Sequence, residues 1–259
     1  MSLPDTLSNL RPIEGGFVTS IPDDWMQGRT SYGGFSAALA LEAARGLAPD
    51  LPPLRSAQVA FVGPLSGEVE VRARMLRRGK NASWVSAEIA GATGVGLTAT
   101  FVFMGPVEQS ALHLHEVPTP AGLIAPDDAV RFPEGRGPGF AAHFDRAFAQ
   151  VRSEAKLPEL NWWVRLKDAE GLDPMVALLL LGDALPPGVM PLMDAWSPVS
   201  SMTWLINLLT PLPQTRDGWY LLQAKGNYAE KGCSSQDMAI WNTEGEAVAV
   251  GMQSIAIFG

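Results

Sequence analysis

Asp183 stands inside the most apolar stretch of the chain, Met175–Gly188, which reads Met-Val-Ala-Leu-Leu-Leu-Leu-Gly-Asp-Ala-Leu-Pro-Pro-Gly. A carboxylate in such surroundings has two roles open to it. It is a structural cap whose charge is met by hydrogen bonds, or a working acid–base group whose pKa burial has moved toward neutrality. The stretch alone leaves both open. Other residues that carry chemistry are less well placed. His113 and His115 form a His-x-His pair in a Pro-rich segment without further ligands nearby, so no metal site is expected. His143 is isolated on a predicted strand. Cys233 sits in a turn with no histidine close in sequence. Ser36 follows Gly34-Phe35, but Ala38 stands where a nucleophile elbow needs its second glycine. Gly91-x-x-Gly94-x-Gly96 lies between antiparallel strands, not in a βαβ unit, so it is not a dinucleotide loop.

The whole chain narrows the function further. Its 259 residues suit one large domain or two domains, at roughly 100–150 residues each. With 47% hydrophobic and 18% charged residues it has ample material for a core. A net charge of −8 argues against a nucleic-acid or anionic-membrane binder, which needs a basic face. It leaves room for a local basic pocket facing a phosphorylated ligand. Arg77, Arg78 and Lys80 form the densest basic cluster, though a charged hairpin turn also serves simply as a solvated turn. The single cysteine excludes an intrachain disulfide. The first residues show no signal-peptide pattern, and no apolar run approaches the ~20 residues of a membrane span. A soluble, cytoplasmic protein without a membrane partner is the expectation.

The elements that must position these residues follow from local pattern. Residues 1–12 read as a loose arm and Gly16–Trp25 as a strand. Phe35–Arg45 reads as a largely buried helix with Gly46 at its end. Ser56–Val62, Glu68–Met75, Ser83–Ala90 and Val95–Met104 read as strands; Val69, Val71, Ala73 and Met75 alternate with charged residues, the period of a half-buried strand. Residues 105–139, rich in Pro, Gly and acids, read as a linker and surface excursion. Then the order restarts. Phe140–Gln150 and Asn161–Lys167 read as strands, with Trp162-Trp163 as packing. Asp173-Pro174 starts the helix Met175–Gly188, Asp as N-cap and Pro at the first position. Ser200–Leu208, Trp219–Tyr228, Ser234–Trp241 and Ala247–Phe258 read as strands. The two halves repeat: helix Phe35–Arg45 corresponds to Met175–Leu185, and the closing strand Leu97–Phe103 to Met252–Phe258. This implies an α+β architecture in which an antiparallel sheet wraps around a central helix, twice.

With these residues in order, the sequence resembles the double hot-dog acyl-CoA thioesterases of the thioesterase II-like family, over nearly its whole length. Gly28-Arg29-Thr30-Ser31-Tyr32-Gly33-Gly34-Phe35 resembles the loop and glycine pair before the family's first helix. Phe61-Val62-Gly63-Pro64 resembles its strand end, and Arg77-Arg78-Gly79-Lys80 its basic hairpin turn. Leu181-Gly182-Asp183-Ala184-Leu185-Pro186-Pro187 resembles the end of its second helix. Pro198-Val199-Ser200-Ser201-Met202-Thr203-Trp204 aligns with its Pro-Thr-Val-Asp-Leu-Thr strand, and Ala249–Gln253 with its closing strand. The resemblance implies residues 1–104 as an N-terminal, degenerate hot dog, 105–139 as linker, and 140–259 as the catalytic copy.

It further implies a catalytic set of an acid, a hydroxyl and an amide. Asp183 and Gln253 fall on the acid and amide positions. Val199 stands where the family has Thr; Ser201, two residues on and on the same strand face, is the first substitute and Ser200 the second. In the first copy Ala43 and Thr98 stand near the acid and amide positions, so one working centre per chain is expected. Gly33 and Gly34 are either a tight turn or backbone donors to an acyl carbonyl or phosphate. Arg77, Arg78 and Lys80 are candidates for the coenzyme A phosphates. Met175, Leu179, Met202, Trp204, Trp219 and Phe61 are candidates for an acyl tunnel, in competition with ordinary core packing. The implied reaction is hydrolysis of an acyl-CoA by Asp-activated water, with no cofactor beyond the coenzyme A of the substrate. The alternative is a non-catalytic hot-dog protein that binds acyl-CoA or another apolar ligand. A hot-dog dehydratase is disfavoured, since no His lies on either helix. The family also implies a homodimer of double hot dogs.

Overall fold

A computed structural model describes residues 1–107, 110–151, 155–195 and 197–258; parts of the 105–139 linker and of the 140–259 copy thus lie outside the described residues. The elements are α1 (Leu3–Ser8), β1 (Arg11–Ile13), β2 (Gly16–Ile21), β3 (Met26–Gln27), β4 (Thr30–Ser31), α2 (Gly33–Arg45), β5 (Leu54–Phe61), β6 (Gly67–Arg78), β7 (Ala82–Gly91) and β8 (Gly94–Met104). The second half holds β9 (Phe144–Phe148), β10 (Glu159–Leu166), α3 (Pro174–Gly182), β11 (Val199–Leu208), β12 (Tyr220–Glu230), β13 (Cys233–Trp241) and β14 (Ala247–Ile257). One twelve-stranded antiparallel sheet runs β1-β2-β6-β7-β8-β5-β11-β14-β13-β12-β10-β9, with β3 and β4 as a separate ribbon. The halves join at β5 and β11, where Val59 faces Trp204 and Ala60 faces Thr203.

Both long helices are buried against the inner face of this sheet and against each other. Their sequences allow nothing else. From Phe35 to Leu41 every residue of α2 is buried, and in α3 so are Met175, Val176 and Leu178–Leu181. A helix apolar on all sides must be enclosed on all sides. Each buried Leu of α3 contributes about 1.5–3 kcal/mol. Asp173 Oδ1 accepts from the Met175 N–H at 2.8 Å, the expected N-cap.

Four expectations are corrected. Residues 1–12 are not a loose arm: Ser2 and Asp5 form a reciprocal capping box that starts α1, and Leu3 is buried. The second helix does not reach Gly188. It stops at Gly182 with Asp183 as its C-cap, because Pro186 and Pro187 cannot continue it. The described part of the linker is not a mere surface excursion. It lies over the outer face of the second half, where Trp163 Nε1 donates to Ile124 O (2.7 Å) and Trp241 Nε1 to Val117 O (2.9 Å). Beneath it these two rings form a second small core with Trp219 and Leu221. Phe140–Gln150 is strand only over Phe144–Phe148, preceded by a 3-10 turn.

Candidate active site

The two helices pack antiparallel, and one end of the pair meets at Asp183. The C-terminus of α3 delivers the carboxylate and the N-terminus of α2 comes to meet it. Two glycines permit the approach. A Cβ on Gly33 would lie 2.5 Å from Asp183 Oδ2 and 2.9 Å from the Phe61 ring; one on Gly34 would lie 2.3 Å from Leu180 O. Tyr32 fixes the junction, its buried hydroxyl donating to Leu180 O at 2.7 Å while Phe140 stacks on its ring at 4.0 Å.

Asp183 therefore sits in a low-dielectric junction with few partners. The Gly34 N–H donates to it, and Gln253 Nε2 donates to Oδ1 at 2.5 Å. Burial pushes its carboxyl up to about 7, against the lowering by the Gln253 and Gly34 donors. The Tyr32 phenol is pushed well above its ordinary value by burial and, secondarily, by the Asp183 charge. A carboxylate that titrates near 7 is matched to general-base work at neutral pH.

Gln253 lies on β14 between Trp204 of β11 and Gln236 of β13. All three side chains are buried on the inner face. Gln236 Nε2 donates to Gln253 Oε1 at 2.9 Å, and the Gly188 N–H donates to Gln236 Oε1 at 2.8 Å. Sequence reasoning missed Gln236. Its signal was present: Ser234, Gln236, Met238 and Ile240 form one alternating face of β13, and an amide there lies among apolar residues. Beside Gly182 the core leaves a small apolar void of about 10 Å³, lined by Leu185, Trp204, Ile206, Leu222 and Met238.

The remaining site candidates fall elsewhere. Ser201 pairs with buried Ile255 and so shares the inner face, but a bulge between Ser201 and Thr203 separates it from the Trp204–Gln253 row. Among the described residues no hydrogen bond joins its hydroxyl to Asp183, whose donors are Gln253 and Gly34. Ser200 pairs with Ala256 on the opposite, exposed face, its Oγ turned to Ser201 O at 3.5 Å. Gly33 and Gly34 are at the site, but the Gly34 N–H is taken by Asp183. The structure does not bring Arg77, Arg78 and Lys80 to Asp183. Phe61 at the site is level with Val71 of β6 through Leu97 and Ile89, and the basic turn lies about 20 Å further along at ~3.3 Å per residue. There Arg77 lies 5.7 Å over the Trp84 ring and Arg78 pairs with Asp50 at 2.5 Å. Trp219, a tunnel candidate, belongs to the outer core between Arg131 and Arg165. Among the described residues no group of three or more His, Cys, Asp or Glu could hold a metal ion, and no helix is long and apolar enough to cross a membrane.

In the first copy the inner-face row that corresponds to Gln236–Gln253–Trp204 is Ala87–Ala99–Val59. Ala99 is buried there and Thr98 is not, so Thr98 faces away from this row and the row carries no polar side chain.

A sheet wrapped twice around paired helices, with a carboxylate at one helix end under an amide from the last strand, defines a double hot-dog protein. The chain belongs to the acyl-CoA thioesterase family: the family's C-terminal domain matches residues 120–257 and its N-terminal domain residues 21–104. No curated protein matches the chain in sequence. Among solved structures, a hot-dog protein of unknown function from Alicyclobacillus acidocaldarius is similar at 20% identity, covering 100% of this chain and 99% of its own, with a TM-score of 0.88. A protein provisionally assigned as thioesterase II from Thermobifida fusca YX is 21% identical over 99% of this chain and 97% of its own, with a TM-score of 0.84. The acyl-CoA thioesterase II TesB2 from Mycobacterium marinum is 17% identical over 100% and 99%, with a TM-score of 0.79. At these identities the structures show the shared fold.

Proposed function

We propose that this chain hydrolyses an acyl-CoA thioester, with Asp183 as the general base. The observation that carries the reading is the part-buried Asp183–Gln253 hydrogen bond at the junction of the two helices, where burial pushes the carboxyl up to about 7. Ionised Asp183 takes a proton from a water as that water's oxygen attacks the thioester carbon. The carbon–sulfur bond then breaks, and the proton held by Asp183 passes to the departing thiolate. The products are the free acid and the thiol. Gln253 has a second N–H beyond the one on Asp183, available to the water or to the developing oxyanion. The positive end of α2 faces the same point. The reaction needs no cofactor beyond the substrate's own coenzyme A. The acyl group would enter beside Gly182, where the apolar side chains must part to admit it, since the space there is about 10 Å³. The Arg77–Lys80 turn, about 20 Å further along the strands than the Phe61 level, is a candidate for the nucleotide end of coenzyme A rather than for the thioester.

A second reading, binding without turnover, draws on Val199 at the family's hydroxyl position and on a Ser201 hydroxyl that does not reach Asp183. Thiol release from acyl-CoA esters of graded chain length separates the two. Hydrolysis predicts that wild type exceeds Asp183→Asn by at least about a hundredfold on some chain length. Equal, background rates on every chain length, with the ester still bound, would establish the second reading.

A further inference from the structure

Three hydrogen bonds run in single file to Asp183. The Gly188 N–H donates to Gln236 Oε1 (2.8 Å), Gln236 Nε2 to Gln253 Oε1 (2.9 Å), and Gln253 Nε2 to Asp183 Oδ1 (2.5 Å). A side-chain amide turned end for end keeps nearly the same shape, so packing alone does not decide which end Gln253 offers Asp183. The main-chain N–H decides it, because it can only donate. It holds Gln236 Oε1 toward Gly188, which leaves Gln236 an N–H for Gln253, which leaves Gln253 an N–H for Asp183.

We propose that Gln236 is a positioning residue for the reaction proposed above: it carries the donor polarity of the Gly188 N–H to Gln253 and so holds the Gln253 amide nitrogen toward the carboxylate. The anchor of the file is firm. Gly188 is pressed onto β12 so closely that a Cβ there would lie 2.6 Å from Ala224 O. Gln236 is 1% and Gln253 4% exposed, so water does not compete for either amide. The fold itself does not call for an amide at this place, since the first copy builds the same row from Ala87, Ala99 and Val59. A reversed Gln253 would put its carbonyl oxygen against Asp183. That arrangement repels the carboxylate and favours the protonated acid, the form that cannot act as a base. The groups facing Asp183 from the packed elements are Gln253 on β14, the Gly34 N–H of α2, and Tyr32, whose hydroxyl is given to Leu180 O. Among the described residues no Lys, Arg or His contributes to the Asp183 shift.

The test is a cycle of Gln236→Met, Gln253→Met and the double variant, each close to the original volume and unable to donate an N–H. Asp183 is titrated directly by its carboxyl carbon resonance, identified by its loss in Asp183→Asn. Thiol release is followed in parallel from pH 5 to 10. In Gln236→Met the Asp183 titration and the acid limb of kcat should rise together by about one pH unit. At pH 7 the rate then falls about fivefold, and at pH 9 it is near wild type. The double variant should titrate as Gln253→Met does, because Gln236 acts only through Gln253. An Asp183 titration unchanged in Gln236→Met, whatever happens to its Tm, or an additive double variant, overturns the proposal. If wild type releases no thiol at any pH, the hydrolase reading fails while the carboxyl titration still decides the role of Gln236.

Discussion

Replacing Asp183 by Asn should stabilise the protein as it removes activity, with a pH dependence of fixed sign. The Asp183 carboxyl is raised to about 7 by burial, whereas an Asp in an unfolded chain titrates near ~3.9. Between these values the folded protein holds a proton that the unfolded chain has lost. Stability from this group is therefore fully present below about pH 4 and is lost as pH rises through about 7. Roughly three units at about 1.4 kcal/mol each set a ceiling of ~4 kcal/mol. The residue keeps partial solvent access, so ~3 kcal/mol is the working figure. Asn carries no charge and escapes this loss. Its oxygen can accept from Gln253 or from Gly34, but its NH2 then faces the other donor, returning about 1 kcal/mol. The net expectation is about 2 kcal/mol in favour of Asn at pH 8, changing to about 1 kcal/mol against it at pH 4. At ~2–4 °C per kcal/mol the pH 8 gain is roughly 4–8 °C in Tm. Thermal melts of both proteins from pH 4 to 9, with thiol release measured on the same samples, read this out. A Tm difference that does not vary with pH, or an Asn variant less stable at pH 8, would mean that Asp183 titrates as an ordinary carboxylate. The general-base argument would then fall.

Two further outcomes follow from the helix junction. Gly33→Ala places a methyl 2.5 Å from Asp183 Oδ2 and 2.9 Å from Phe61; kcat should fall about 10²-fold from misplacement of the base, with a loss of ~1–3 kcal/mol in chemical denaturation, and an unchanged kcat would refute the close contact. Tyr32→Phe leaves the Leu180 carbonyl without its donor and should cost about 1–3 kcal/mol. Its pH–rate profile should keep the wild-type acid limb, because the Tyr32 hydroxyl is spent on Leu180, not on Asp183; a moved limb would show otherwise.

Much of the fold is legible in period and propensity alone. Val69, Val71, Ala73 and Met75 mark one face of β6, and Asp173-Pro174 marks the start of α3. What escapes is set by contacts remote in sequence. The bulge between Ser201 and Thr203 shifts the β11–β14 register, and no residue type in Ser-Ser-Met-Thr announces it. Hence the site hydroxyl is the hardest member to place from sequence. Ser200 turns outward and Ser201 faces inward without reaching Asp183. The linker's role is hidden for the same reason: what ties it down is its own main-chain carbonyls at Val117 and Ile124, which accept from Trp241 and Trp163. Asp183 is legible as a polar residue among apolar neighbours, and Gln253 through the family resemblance. Gln236 lies on the buried, alternating face of β13, where no family motif marks it.

The two ends of the helix pair hold their carboxylates differently. The helices run antiparallel, so each end of the pair joins an N-terminus to a C-terminus. At one end Gly33 and Gly34 of α2 meet Asp183 after α3, under the Gln253–Gln236 file. At the other, Arg45 near the end of α2 pairs with Asp173, the N-cap of α3, at 2.8 Å and with Glu42 at 2.8 Å. The second end thus holds its acid against a guanidinium. The first end keeps its acid without a cation and buried, at a cost in stability. The Asp183 cluster draws on both copies. At the first end the first copy supplies the glycines and the Gly34 N–H, and the second copy supplies the carboxylate and the two amides.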